Sequence, residues 1–274
     1  MTTTLNYIAF ISLFCGCIPK PIDLELPVHQ PRLAVASQIV PEKEMVVALT
    51  YSFSPLSRPT NNDTVVNEFL DKVVVKKGFV TISYLGETDT LPMIEPGVYS
   101  SNLKLKYDYG NYTLHVIDDS TGLEAAALSV MLPRVFFDTV YPTVKRGGAD
   151  SAVLVHFSVK DIQGIDNWFV ISYFSKTKLN QGASLDMYEY FNKGSNKLNQ
   201  IELLTDKMFD DGKYSDTRTL KNISTHDTIA VVLSNISKGY YEFLSAYQKS
   251  GNILNQLTGE PINFPTNIVN GYGY

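Results

Sequence analysis

Every second residue is apolar in many short segments of the chain after about residue 32. The segment 80–84 alternates Val80, Ile82 and Tyr84 with small hydroxyl residues, and the segment 112–116 has the same period. A period of two places neighbouring side chains on opposite faces of a strand, so these segments predict half-buried β-strands. Strands are predicted from the same pattern at 33–39, 45–53, 152–159, 168–175, 199–204, 217–223 and 228–234.

Turn-forming residues punctuate this pattern and divide it into hairpins. Asp118, Asp119, Ser120, Thr121 and Gly122 follow the segment 111–117 and precede 123–131. Such residues favour tight turns because their side chains bond the local backbone or, for glycine, tolerate positive φ. We therefore predict a β-hairpin between the two segments.

The spacing of strands and breaks predicts an all-β protein with two domains. The first, residues 32–132, is expected to be an immunoglobulin- or transthyretin-like sandwich. Prolines and a Gly-Gly pair predict a connector at 133–150, and residues 151–274 are expected to form a second β-sandwich or barrel-like domain. Two domains also fit the length, since a single domain usually has about 100–200 residues.

One segment of the second domain has helical rather than strand periodicity. Its apolar positions recur at i, i+3, i+4 and i+7 and are Tyr240, Phe243, Leu244 and Tyr247. Ser237 is a suitable N-cap, and Gly251 follows the segment. The pattern predicts one α-helix over about 238–249, and we interpret the stripe as a core contact rather than a cofactor site.

The only two cysteines, Cys15 and Cys17, follow an apolar segment at 5–14. A disulfide inside a C-x-C triplet would be strained, and a metal site would need further Cys or His ligands nearby. The apolar segment has the length of a signal-peptide core, although residues 1–4 carry no Lys or Arg. We interpret 1–16 as a signal peptide and Cys17, which follows the small Gly16 as in a lipobox, as the lipidated residue. A buried amino-terminal strand with incidental cysteines is the alternative.

Residues 17–31 are predicted to be a lipidated cysteine and a proline-rich tether. Four prolines between 18 and 31 favour an extended chain, which at about 3.1 Å per residue would reach roughly 40 Å from the lipid. After cleavage Cys17 is the only cysteine and carries the lipid, which excludes thiol catalysis and disulfides. The expected partner of this end of the chain is a membrane.

The charge distribution argues against nucleic acid as a partner. The formal net charge is −5 with a pI near 5.4, and no run of basic residues is longer than the isolated doublets Lys76-Lys77 and Lys145-Arg146. Nucleic-acid-binding domains instead carry a concentrated basic face. We expect no nucleic-acid partner.

The histidines do not have the spacing of a metal site. His29, His115, His156 and His226 are far apart in the sequence and form no HxxH or HxxxH motif. His226 could belong to a catalytic triad only if the chain also had a nucleophile elbow. The sequence contains neither that motif nor a phosphate-binding glycine loop. We predict no cofactor, no metal and no catalytic residue from these motifs.

Acidic residues offer the remaining candidates for chemistry. The run that contains Asp206, Asp210 and Asp211 has Met208 where a calcium loop requires an oxygen ligand, so we interpret it as a solvated turn. The pairs Asp63/Glu68 and Asp186/Glu189 could serve a glycosidase only if folding sets their separation at about 5–9.5 Å. The sequence identifies no ligand-binding residues.

Four segments near the carboxyl end carry a family resemblance: LTDKMFDDGK at 204–213, HDTIAVVL at 226–233, GYYEF at 239–243 and PTNIVNGYGY at 265–274. Together with 33–35 and 95–99 they resemble a Bacteroidota outer-membrane lipoprotein family classed as a domain of unknown function. Residues 166–169 are similar to that family's NYY strand start, with Trp168 and Phe169 in place of paired tyrosines. The family pattern generally continues past Tyr274, so we expect a closing aromatic strand beyond it.

The resemblance implies a location rather than a reaction. It implies an outer-membrane lipoprotein on the periplasmic or cell-surface face, often encoded beside TonB-dependent receptors and without established catalytic residues. We therefore expect a non-enzymatic, lipid-anchored accessory or ligand-binding protein that works with a TonB-dependent nutrient-uptake receptor. The alternatives are a structural or adhesive surface subunit and, on the acids and aromatics alone, an envelope glycan hydrolase.

Overall fold

The computed structural model describes residues 30–53, 69, 71–106, 110–147, 150–177, 198–221, 223, 227–250 and 264–274. The chain divides into Met1–Gln30 and Pro31–Tyr274, and the described residues belong almost wholly to the second unit. The predicted signal peptide, Cys17 and most of the predicted tether lie outside the described residues.

The described chain is mainly β-strand, so the predicted all-β, sandwich-like fold class is confirmed. The first strands are β1 Leu33–Gln38, β2 Glu44–Tyr51, β3 Gly78–Tyr84, β4 Glu87–Leu91, β5 Met93–Glu95, β6 Val98–Lys104, β7 Asn111–Asp118 and β8 Glu124–Val130. They are followed by β9 Phe137–Gly147, β10 Asp150–Lys160, β11 Trp168–Thr177, β12 Leu198–Thr205, β13 Lys213–Lys221, β14 Asp227–Ile236, β15 Ile268–Val269 and β16 Gly271–Gly273. The helix α1 spans Lys238–Ser250, and a 3-10 helix spans Asp206–Met208.

Two five-stranded sheets enclose the first hydrophobic core. Their strand orders are β16-β1-β2-β6-β5 and β15-β8-β7-β3-β4. Val80, Ile82 and Tyr84 all point into this core and are almost fully buried, as the alternation predicts. The predicted hairpin is also confirmed, since β7 and β8 pair antiparallel on either side of the turn at 119–122.

Tyr112 fixes the entry into β7. Its ring is 2% exposed and stacks on Tyr84, with the ring centroids 4.9 Å apart. Its hydroxyl donates to the backbone oxygen of Lys106 at 2.5 Å. A tyrosine near the start of a late strand that bonds the backbone a few residues upstream has the geometry of a tyrosine corner.

The closing strands return to the first core, although the sequence pattern had placed them with the second domain at 151–274. β16 pairs in parallel with β1, with Leu33 opposite Gly271, and β15 pairs antiparallel with β8. Glycine permits this approach, because a Cβ atom added at Gly273 would lie 1.8 Å from the backbone oxygen of Val35, and φ there is +109°. Local periodicity cannot reveal a parallel pairing that needs a long return connection. The domain bounds themselves stay a prediction.

Two three-stranded sheets, β13-β10-β9 and β12-β11-β14, enclose a second hydrophobic core. The predicted strands of this region are all present. The predicted connector at 133–150, however, contains the eleven-residue strand β9, which pairs with β10. Pro142 suggested a break, but a proline is tolerated on an edge strand, where its missing N–H breaks no ladder bond.

The helix predicted at about 238–249 is confirmed as α1. Its N-cap is Ser237, whose Oγ accepts a hydrogen bond from the Tyr240 backbone nitrogen at 3.2 Å. Tyr240, Phe243 and Leu244 are half-buried, as a core-facing stripe requires. Tyr247 is 63% exposed, so the predicted stripe is wrong at this position. Within the described residues no helix combines the length and the apolar character needed to cross a membrane.

Candidate functional site

A groove of about 600 Å³ runs along strand β12 and is the larger of the two cavities described below. We call it the β12 groove. One wall is helix α1, the opposite wall is β13, and the floor is β12 with a tyrosine of β11. The lining residues are Tyr173, Gln200, Ile201, Glu202, Leu203, Arg218, Tyr241, Ser245 and Gln248.

The groove wraps around both faces of β12, and the strand pattern explains why. Leu204 is fully buried in the second core, so Glu202 points to the same, interior face. Ile201 and Leu203 therefore lie on the opposite face. On β11, Val170 and Phe174 are buried even though they alternate with the core residues, because α1 packs against this strand. The groove thus lies where the sandwich edge meets the helix.

Glu202 is the polar centre of the interior wall. Its carboxylate accepts two hydrogen bonds from Arg218, from Nη2 at 2.7 Å and from Nε at 3.2 Å. The hydroxyls of Tyr173 and Tyr214 also donate to it, at 3.1 and 3.4 Å. A carboxylate that is 13% exposed needs such partners, and the bidentate guanidinium supplies both charge and geometry.

Electrostatics keep these groups in fixed protonation states. Burial raises the pKa of Tyr173 well above its ordinary value, and the charge of Glu202 raises it further. Burial and Glu202 likewise raise the pKa of Tyr214 to about 12. The hydrogen bond to Glu202 raises the pKa of Arg218. The wall therefore presents neutral phenols and a compensated ion pair, which suits binding rather than proton transfer.

The helix wall presents uncharged polar groups. Gln248 donates from Nε2 to the backbone oxygen of Ile201 at 3.2 Å, and so connects α1 to β12 across the groove. Ser245 and Tyr241 lie on the same wall, and Gln200 lies on β12. These side chains can donate and accept hydrogen bonds without adding net charge.

A second cavity, of about 430 Å³, lies on the outer face of the sheet β13-β10-β9. Tyr141 is half exposed there and stacks on His156, with the ring centroids 4.8 Å apart. His156 Nδ1 is hydrogen-bonded to Thr217 Oγ1 at 2.8 Å. At its rim Asp138 pairs with Lys160 and Lys213, at 2.5 and 2.9 Å. Hydrogen bonds from these two lysines lower the pKa of Asp138 to about 2.

Among the described residues that the sequence suggested as site candidates, His156 alone lines one of the two cavities. His115 pairs with Glu124 on the exposed face of the first sandwich, at 2.5 Å. His29, His226 and the carboxylate pairs Asp63/Glu68 and Asp186/Glu189 lie outside the described residues. Across the described ranges no group of three or more His, Cys, Asp or Glu side chains could hold a metal ion.

Asp206, Asp210 and Asp211 shape a turn instead. Asp206 Oδ2 accepts a hydrogen bond from the Asn167 backbone nitrogen at 2.6 Å and ties the β10–β11 loop to the end of β12. Burial raises the pKa of Asp206, and the neighbouring carboxylates of Asp161 and Asp166 add to the effect. Asp210 bonds Lys213 backbone to backbone, and Asp211 has a φ of 48° in the turn between them.

Sequence reasoning missed Glu202, Arg218 and Gln248. A signal for the first was present, because Glu202 occupies an interior-facing position in the alternation that ends at Leu204. A charged residue at such a position requires a charged partner. The sequence alone does not identify Arg218, which lies on another strand, as this partner.

The chain matches a known protein family. A family model described as a domain of unknown function (DUF4249) matches residues 19–274. The search of curated proteins finds no match.

Proposed function

This chain belongs to the family described as a domain of unknown function (DUF4249), and from that premise we propose that it is a non-enzymatic, lipid-anchored binding protein. In this proposal the β12 groove holds an uncharged polar ligand. The protein delivers that ligand to a TonB-dependent receptor of the outer membrane, with its lipid at Cys17.

The observation that carries the binding role is the saturated interior wall of the groove. Glu202 accepts two hydrogen bonds from Arg218 and one from Tyr173, and Tyr214 shares its single hydroxyl proton between Glu202 and Asp216, so most acceptor positions of Glu202 are committed to the fold. The tyrosine hydroxyls are protonated at neutral pH, and their raised pKa values extend this state to more alkaline pH. A rigid wall of this kind orients a ligand, and a volume of about 600 Å³ falls in the usual range for small-ligand sites.

The proposed anchoring is supported by the sequence. The apolar segment at 5–14 and the Gly16-Cys17 pair support lipidation, and the proline-rich segment to residue 31 supports a tether that holds the folded body away from the headgroups. A soluble ligand captured near the membrane would then be presented to a membrane partner at high effective concentration.

Purification from native membranes tests the receptor. We expect wild-type protein to co-purify with a TonB-dependent receptor and Cys17→Ala to lose it, because the unanchored protein is diluted away from the membrane. A receptor that never appears with the wild-type protein would refute that part of the proposal.

Ligand retention tests the binding role. Arg218→Met keeps an unbranched apolar stem but removes the guanidinium donors, so we expect it to lose small molecules that mass spectrometry finds on the wild-type protein. Gln163→Ala, an exposed change in the β10–β11 loop, is the matched control. Equal retention by wild type and both variants would show that the groove is not the site.

The second candidate, a structural surface subunit, is favoured by strand β9. It has eleven residues and ends the order β13-β10-β9 among the described strands. Pro142 and the exposed Lys145, however, are typical protections against edge-to-edge pairing. Binding at the β12 groove therefore remains the function that we propose.

A further inference from the structure

Strand β12 forms an edge beside a helix. It is the last strand in the order β12-β11-β14 of the described sheet, and its one described partner is β11. An edge strand presents backbone N–H and C=O groups that can pair with another chain. In the β12 groove these groups lie between α1 and Arg218 of β13.

The contact from Gln248 reveals which backbone groups face the groove. Its Nε2 donates to the oxygen of Ile201, so this carbonyl points away from β11 and toward α1. In an antiparallel ladder the N–H and C=O of one residue point to the same side, and the side alternates along the strand. Ile201 and Leu203 therefore direct their backbone groups into the groove, whereas Glu202 bonds β11 opposite Ile171.

We propose that the ligand of the β12 groove is an extended peptide segment that adds to β12 as a further strand. This inference rests on the proposed binding function and names its ligand class. About four residues of peptide, at about 3.4 Å each, would span the part of β12 that lines the groove. Backbone bonds to Ile201 and Leu203 supply affinity, and alternate side chains contact α1 on one side and the Arg218 wall on the other.

The charges of the groove define the peptide further. Arg218 and Glu202 compensate each other, and the described groups of the α1 wall are uncharged. Burying a charged ligand side chain against such a wall would cost desolvation without a free partner. The peptide therefore carries uncharged side chains where it contacts the groove. Gln248 already donates to one backbone acceptor, the Ile201 oxygen, and therefore competes with the peptide for it.

The test uses the full-length protein in detergent and a library of acetylated, amidated pentapeptides built from Ala, Ser, Thr, Val, Leu, Asn, Gln and Tyr. We expect the protein to enrich a subset of the library. The best peptide is then N-methylated at alternate residues. Methylation of the amides that face β12 should weaken binding at least about fivefold per lost hydrogen bond, and methylation of the other set should change it little.

Variants of the protein give the complementary result. Gln248→Ala frees the Ile201 oxygen and should tighten binding about fivefold, while Gln163→Ala leaves it unchanged. Leu203→Pro removes a groove-facing N–H but no ladder bond to β11, and should weaken binding to a similar degree. Far-UV circular dichroism establishes whether this proline variant is folded, and the Gln248→Ala result stands without it.

Three outcomes separate the hypotheses. Equal loss of affinity for both N-methylated sets, or no enrichment of any peptide, overturns strand addition. A glycan array probed in parallel distinguishes failure of the peptide hypothesis from failure of the proposed binding function. Saccharide binding that Arg218→Met abolishes would leave the binding function intact. If neither peptides nor glycans bind, the proposed function fails as well.

Discussion

At the scale of single residues, a buried polar group can depend on donors that local sequence supplies only in part. Asp118 shows this in the β7–β8 turn. It is fully buried and accepts hydrogen bonds from Thr121, from the Ser120 backbone at 3.1 Å and from the Tyr51 hydroxyl at 2.7 Å. The first two partners are local and could be predicted from the turn sequence, whereas Tyr51 comes from another strand. Burial raises the pKa of Asp118, but these hydrogen bonds outweigh it and hold the pKa below its ordinary value.

Replacing Asp118 tests this network. Asp118→Ala leaves the half-buried Tyr51 hydroxyl and two turn donors without their acceptor, so we expect the free energy of unfolding to fall by about 3 kcal/mol. Asp119→Ala changes the exposed neighbour and should cost less than about 0.5 kcal/mol. Urea melts of both variants decide, and equal losses would mean that the Asp118 bonds contribute nothing beyond the turn.

The ion pairs of Asp138 make the stability of the folded protein depend on pH. Its folded pKa of about 2 lies below its ordinary value of 3.8, so its contribution is present above pH 4 and is lost as the pH falls toward 2. We expect Asp138→Asn to flatten the pH dependence of the urea midpoint between about pH 4 and 2. Glu95→Gln, an exposed change on β5, is the control. Parallel curves for wild type and Asp138→Asn would contradict the assignment.

At the scale of elements, the sequence predicted those whose own residues carry the signal. The alternation at 80–84 and 112–116 predicted β3 and β7 because one face of each is buried, and the 3.6-residue stripe with Ser237 predicted α1. β9 was missed because Val140, Tyr141 and Val144 are about half exposed on its two faces, which hides the period of two. β15 and β16 were too short to carry a period, and their positions depend on contacts with distant strands. The β12 groove was missed for the same reason, since it requires β12, β13 and α1 together.

Helix α1 is held by an aromatic cluster that also includes the end of the described chain. The ring centroid of Phe243 lies 5.9 Å from the centroids of both Phe264 and Tyr274. The centroids of Tyr240 and Tyr274 are 5.1 Å apart. Phe243→Ala should therefore lower the free energy of unfolding by about 2 kcal/mol, less than for a fully buried ring because the site is half exposed. Tyr247→Ala, on the exposed side, should cost less than about 0.5 kcal/mol. Similar losses for the two variants in denaturant melts would mean that the cluster does not hold the helix.

At the scale of the whole molecule, the membrane anchoring that we propose depends on the first residues of the chain. Cys17→Ala should release the protein from membranes, while Cys15→Ala should remain anchored because bulky Phe14 precedes it and would be a poor cleavage position. Fractionation and metabolic labelling with a fatty-acid analogue measure both effects. Equal labelling of wild type and Cys17→Ala would defeat the lipidation prediction.

The parallel pairing of β16 with β1 constrains when this protein can fold. Leu33 finds its partner Gly271 only after all the residues between them have been synthesised, so the contact order of the first sandwich is high and its folding is expected to be slow. A chain that leaves the cytoplasm through a secretion channel must stay unfolded until it has passed. Because β16 is synthesised long after β1, we expect the first sandwich to stay incomplete during synthesis, and in the export that we propose this delay would keep the chain competent for translocation.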